Sequence, residues 1–177
     1  MIPGWVDFRD AFLERLSATS VADLRRMMES QSERTRFYCQ EILPPVAERL
    51  GLAMGEEEYR IDFSFFSTAR NGWKVPVIHV ESENIASDAH HEVRKLTWLT
   101  SPLKILITCA EWSLDRESLI KVWMEIISAQ NEILPRSDEY GFIIAEWNER
   151  LRFYSFCLSS SLVQVDPEIV LLERSLD

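Results

Sequence analysis

Apolar and polar residues follow one another along this chain with two different periods, and the change of period divides it. Trp5, Phe8, Phe12, Leu13 and Leu16 recur at spacings of three and four, which predicts an amphipathic helix. Ser20-Val-Ala-Asp23 has the form of a helix N-terminal capping box, with Asp23 in place of the usual Glu or Gln. The helix it opens is expected to run to about Leu43, where Pro44 and Pro45 disfavour continuation, or to carry on through a kink to Val46 and Leu50. From Glu58 to Phe66 the period becomes two: Tyr59, Ile61, Phe63 and Phe65 alternate with Arg60, Asp62 and Ser64, as on a half-buried strand. Asn71-Gly72 signals a turn, and VPVIHVESEN, residues 75–84, returns as the next strand.

SDAHHEVRKLTWL, residues 87–99, reads as a helix that stops before Ser101-Pro102. LKILITC, residues 103–109, is a near-continuous apolar run of the kind buried on both faces of a sheet. A helix from about Asp115 to Asn131 follows, and then Tyr140–Trp147 and Leu151–Leu158 form a hairpin across Asn148-Glu149-Arg150. Helices, two strands, a helix, a strand, a helix and two strands define an α/β or α+β domain on a mixed sheet. No internal repeat, low-complexity tract or Gly/Ser linker interrupts the pattern, so residues 1–177 are read as a single domain.

Composition narrows the function classes. With 177 residues, 46% of them apolar, the chain can bury a core without disulfide or metal staples. No run of about 18 apolar residues occurs, so no membrane span is expected. The start, MIPGWVDFRDAFLERL, mixes charge into its apolar positions and does not read as a signal peptide. Cys39, Cys109 and Cys157 are odd in number and far apart, which argues against a disulfide framework or paired-Cys zinc site and fits a reducing cytoplasm. The formal charge of −10, from 29 acidic and 19 basic residues, disfavours non-specific nucleic-acid binding and leaves a local basic groove to the fold. Phosphate-binding glycine loops and a nucleophile elbow are absent, with only 5 glycines in the chain. His79 reads as a satisfied core histidine, and His90 and His91, about 100° apart on a helix, as unable to share a face. The tryptophans, among them Trp98, Trp112, Trp123 and Trp147, read as core, with Trp112 able to line a groove.

The chemistry gathers where VPVIHVESEN ends. His79, Glu81 and Glu83 line one face of that strand, and two adjacent carboxylates repel unless water or a cation offsets them. On the following helix Leu96 and Leu99 each fall within about 40° of Glu92, so Glu92 lies on the packing face, with Lys95 about 60° to one side. Asp62 can enter the same site from the neighbouring strand. The candidate cluster is therefore Asp62, Glu81, Glu83, Glu92 and Lys95.

A helix, RIDFSFF with its Asp, a turn, VIHVESEN, the helix HHEVRKLTWL and the strand LKILITC together resemble the PD-(D/E)XK nuclease superfamily. The resemblance covers roughly residues 37–109, with the C-terminal helix and hairpin as additions. It implies a restriction-endonuclease-like fold, a three-layer α/β/α domain with a central mixed sheet and N-terminal helices. It also implies Mg²⁺ or Mn²⁺ held by Asp62 and Glu81, with Glu83 as a third carboxylate. A water activated there would attack phosphorus in DNA or RNA. The family's lysine would steer that water, but its place two residues after Glu81 holds Glu83. Lys95, sharing a helix with Glu92, is the natural substitute. The alternative is a catalytically inactive domain of the same fold that serves as a binding or regulatory module, for instance as a homodimer. Simpler roles stay open too: solvated carboxylates at a strand end, Asp62 salt-bridged to Arg60 or Arg70, and a plain i,i+3 pair of Glu92 with Lys95, worth roughly a few tenths of a kcal/mol.

Overall fold

The computed structural model describes residues 2–57 and 60–176. Four helical segments come first: α1 (Trp5–Ser17), α2 (Val21–Glu29), α3 (Gln31–Arg36) and, after a π turn over Phe37–Ile42, α4 (Leu43–Arg49). Then follow β1 (Ala53–Glu56), β2 (Phe63–Thr68), β3 (Lys74–Glu83), α5 (His90–Trp98), β4 (Leu103–Cys109), α6 (Trp112–Ile133), β5 (Glu139–Trp147), β6 (Leu151–Ser159) and β7 (Gln164–Arg174). The strands lie side by side in chain order in one sheet of seven. β3, β4 and β5 are parallel, and the flanking pairs are antiparallel. The fold is thus α/β on a mixed sheet, with helices covering both faces. No helix among the described residues is long and apolar enough to cross a membrane.

Each face has its own core. Trp5, Phe8, Phe12 and Leu16 of α1, Phe37 and Ile42 of the π turn, and Leu43 and Val46 of α4 pack on Phe65, Ile78, Val80, Ile105, Ile107 and Ile143. On the other face Val93 and Leu96 of α5 and Trp112, Trp123 and Ile127 of α6 cover Leu106, Phe142, Ile144 and Phe156. Trp112, Phe156, Phe142 and Trp123 close a circuit of stacked rings, with centroids 5.7, 4.7, 5.1 and 6.1 Å apart in that order around it. Glu146 of β5 accepts from the Ser113 amide and hydroxyl at 2.8 and 2.7 Å and from the Tyr154 hydroxyl at 2.8 Å. A carboxylate placed there satisfies an orphan amide at the α6 N-terminus and complements the helix dipole. A polar row also crosses this face, because Ser64, His79, Lys104 and Tyr140 stand in register on β2 to β5. Ser64 Oγ bonds His79 Nδ1 at 2.9 Å, and Lys104 Nζ bonds Asp138 at 2.5 Å and the Tyr140 hydroxyl at 3.2 Å.

Several expectations are corrected. The helix opened by Ser20, whose hydroxyl does accept from the Asp23 amide at 3.1 Å, ends at Glu29 and does not reach Leu43. Ser30 adopts extended backbone and caps α3 by accepting from the Glu33 amide, a second serine cap set in the polar stretch 29–36. Pro44 and Pro45 open α4 instead of ending a helix, which their missing amides permit in a first turn. The π turn makes the join: the Leu43 amide reaches back to the Tyr38 carbonyl, and the Glu41 carbonyl, which Pro45 cannot serve, accepts from Arg15 Nε at 2.7 Å. The strand read from Glu58 begins only at Phe63, and Glu58 and Tyr59 lie outside the described residues. β1 and β7 are edge strands that the period did not reveal; β7 carries Pro167, which an edge tolerates. Trp5, Trp112 and Trp123 are core, whereas Trp73, Trp98 and Trp147 are exposed. His90 and His91 bring their rings together, with centroids 3.9 Å apart.

α1 reaches the middle of the sheet because β5 carries Gly141, where a Cβ would overlap the six-membered ring of Trp5. The indole is pinned from its other end by Nε1 donating to Asp166 of β7 at 2.8 Å. Gly141→Ala is therefore expected to destabilise the chain by about 1–3 kcal/mol through overpacking. Denaturant unfolding measures it, and an unchanged midpoint would show that Trp5 can move aside.

Candidate functional site

The parallel connection from β3 through α5 to β4 builds the site. β3 lies between β2 and β4, so its side chains are covered wherever helices overlie it. The pairing Phe63↔Val80 is the last rung between β2 and β3, and continuing that register sets Asp62 opposite Glu81. Asp62 is not inside the strand but just ahead of it. Its Oδ2 accepts from the Ser82 amide at 2.8 Å, taking the place a backbone carbonyl would fill if β2 began earlier. Among the described residues Asp62 forms no ion pair with Arg60 or Arg70.

Glu81 is fully buried, on the α5 side of the sheet. Lys95 of α5 brings its Nζ within 2.8 Å of Glu81 Oε2 and 2.5 Å of Glu92 Oε2. This is contact by charge and proximity, since among the described residues neither Glu81 oxygen has a well-aligned hydrogen-bond donor. Burial foremost, and then the Asp62 charge, push the Glu81 carboxyl up to about 9 against the pull of Lys95. Burial works against the Lys95 ammonium, but Glu81 and Glu92 outweigh it and hold the amine above its ordinary value. Asp62, Glu81, Glu92 and Lys95 thus set three carboxylates against one ammonium. Such a group is eased by one more positive charge, whether a proton on Glu81 or a cation.

Glu83 is drawn elsewhere, its Oε1 accepting from the Ile85 amide at 3.0 Å in the turn after β3. His79, two residues before Glu81, is buried and bonded to Ser64, and burial with the nearby Lys104 charge lowers it to about 4. On the other side of Asp62 opens a cavity of about 280 Å³, lined by Thr35, Cys39, Glu56, Glu57, Asp62 and Ser82 among others. Among the described residues no three His, Cys, Asp or Glu side chains stand close enough to enclose a metal ion by themselves. The pattern of the sequence missed Asn84 and Arg34 beside the site: Arg34 Nε donates to Asn84 Oδ1 at 2.8 Å, across 50 residues of chain. A polar Asn closing a strand was the available signal. Comparison of the chain with family models and with curated proteins gives no match.

The raised Glu81 carboxyl predicts a pH dependence of stability. Folding favours its neutral form, so its contribution is complete below its ordinary value of 4.5 and drains away as pH rises toward about 9. His79 acts in the opposite sense on the acid side, between 6.5 and about 4. Lys104, which burial lowers, opposes the Glu81 trend on the alkaline side below 10.5, a smaller shift than that of Glu81 and one that Glu81→Gln leaves in place. The melting temperature of the metal-free protein should therefore fall from pH 6.5 to 9. Glu81→Gln, neutral throughout, should flatten that slope and melt higher at pH 8.5; parallel curves for the two proteins would refute the shift.

Proposed function

We propose that this chain is a divalent-metal-dependent nuclease of restriction-endonuclease-like fold, hydrolysing phosphodiesters in DNA or RNA. The observation that carries the reading is Glu81: a fully buried carboxylate with no aligned donor among the described residues, beside Asp62 and within 2.8 Å of a lysine borne on the next helix. The order of elements supports it as well, since helices precede an antiparallel β1–β2–β3 meander, and α5 then leads to a β4 parallel to β3.

The donor chemistry suits Mg²⁺ or Mn²⁺. Both are hard ions that one or two carboxylates hold, the shell being completed by water and substrate phosphate. Asp62 and Glu81 are the residues that would bind, with Glu83 able to join only by leaving the Ile85 amide. When bound, the ion would supply Lewis acidity, neutralising charge on the phosphate and making water easier to deprotonate. The chain does the rest. The Ser82 amide fixes Asp62, Glu92 holds Lys95 against the site, and the Lys95 ammonium offers protons to orient a water or to stabilise charge on a phosphate oxygen.

A second reading, an inactive module that binds or regulates, draws on the same lysine: Lys95 is enclosed by Glu81 and Glu92, and the net charge is −10. The two readings part on metal and on cleavage. At a hundredfold excess of metal over Kd the expected stabilisation is about 2.7 kcal/mol, a rise in Tm of roughly 5–10 °C for a chain of this size. Asp62→Ala, whose fold is checked by its melt in chelator, should lose the rise. Mn²⁺ should support cleavage of single-stranded DNA, duplex DNA or RNA that Glu81→Ala lacks. A metal response without cleavage of any substrate selects the inactive module, and no metal response overturns the nuclease.

A further inference from the structure

The partly buried arginines of this acidic chain divide by partner: Arg15 and Arg136 donate to backbone carbonyls, and Arg34 to a side-chain amide. Arg9, Arg36 and Arg152 each face carboxylates. Arg34 is also partly buried, yet it forms no ion pair among the described residues and is held through Nε by the neutral Asn84 amide. Asn84 directly follows β3. It stands two residues, about 7 Å along an extended chain, beyond Ser82, whose amide holds Asp62.

The guanidinium also lies near the end of β4, where the Cys109 thiol feels its charge, as does the Tyr38 hydroxyl. That hydroxyl is buried and has no hydrogen-bond partner among the described residues. Arg34 therefore sits at the carboxyl end of β3, the strand that pairs in parallel with β4. The next residue, Thr35, lines the cavity of about 280 Å³ that reaches Asp62. A neutral acceptor at Nε orients the guanidinium without cancelling its charge, and leaves the two Nη groups as a planar fork suited to phosphate.

We propose that Arg34, oriented by Asn84, clamps a backbone phosphate of the nucleic-acid strand next to the phosphodiester that lies at Asp62 and Glu81. The proposal rests on the nuclease reading and adds to it a substrate contact from the opposite, N-terminal helical layer. Asn84 acts as a positioning residue, whereas Arg34 touches the substrate.

The test measures binding of end-labelled single-stranded DNA, duplex DNA and RNA by fluorescence anisotropy, with Ca²⁺ present to allow binding without turnover, over a range of salt. Melting curves with and without Mn²⁺ are recorded for every protein. Arg34→Ala should weaken binding about tenfold or more. It should also reduce the slope of log affinity against log salt by about 0.7 on a single strand. Arg34→Lys should keep the slope and lose affinity, because the charge stays and the fork is gone. Asn84→Ala should do the same, which a purely structural role for Asn84 would not produce if its melt is unchanged. The Mn²⁺-induced rise in Tm should be equal in all four proteins. Equal binding by wild type and Arg34→Ala, with that rise intact, overturns the clamp and leaves the nuclease reading standing. Binding that depends on Arg34 without any metal response supports the clamp and overturns the metal site. A wild type that binds none of the three nucleic acids overturns both.

Discussion

A carboxylate withdrawn from the solvent-exposed surface governs this structure. Glu81 is fully enclosed between the sheet and α5, and Asp62 and Glu92 bring two further negative charges toward it, with Lys95 as the compensating ammonium. Burying a charge is costly unless it is paired and hydrogen-bonded, and here the pairing is incomplete because among the described residues neither Glu81 oxygen has an aligned donor. The site answers by raising the carboxyl's hold on its proton. An arrangement that stabilises the fold best when protonated is also one that a cation can occupy by displacing that proton.

The sheet keeps this arrangement in place. One step before Glu81, the row Ser64, His79, Lys104 and Tyr140 crosses four strands in register, and each of its members has a hydrogen-bond partner. A slip of one residue in β3 would bury Val80 among these polar groups and turn Glu81 toward the apolar layer under α1 and α4. The satisfied polar row and the unsatisfied carboxylate are two consequences of the same pleat. The first specifies the register that the second needs, and Gly141 with Trp5 on the far side lets the N-terminal layer close against it.

Much of this was legible in the sequence because it depends on period and neighbourhood. LKILITC is β4 residue for residue, and the hairpin of β5 and β6 lies within one residue of its expected bounds. The convergence of Asp62, Glu81, Glu92 and Lys95 follows from strand parity and helix angle, which single-residue counting captures. What escaped has physical reasons. The Ser30 break falls in the polar stretch 29–36, where no apolar position carries a period, so only its own Ser-x-x-Glu cap signals it. Lys104, fully buried in a run that reads as apolar, is stabilised by Asp138, 34 residues away. β7 is an edge with Val165, Ile169 and Val170 exposed, so its burial does not alternate. Arg34 and Asn84 meet only because the N-terminal layer folds over the end of β3, a contact that no local rule contains.

The acidity of the chain, which argued against nucleic acid at the level of composition, takes a different meaning once the charges are placed. Lys95, the ammonium nearest the candidate site, is paired with Glu81 and Glu92, so its charge is offset locally and adds little to the long-range field. A phosphodiester approaching Asp62 and Glu81 would meet net repulsion, with Glu56 and Glu57 adding to it along the cavity. Under the proposed function the divalent ion reverses the sign of that surface as well as serving chemistry, and Arg34 supplies the one contact that does not need it. Net charge measured over the whole chain is therefore the wrong quantity for this site: what decides is the local field at the end of β3, which a single bound ion changes by two units within a region that burial shields from screening by salt.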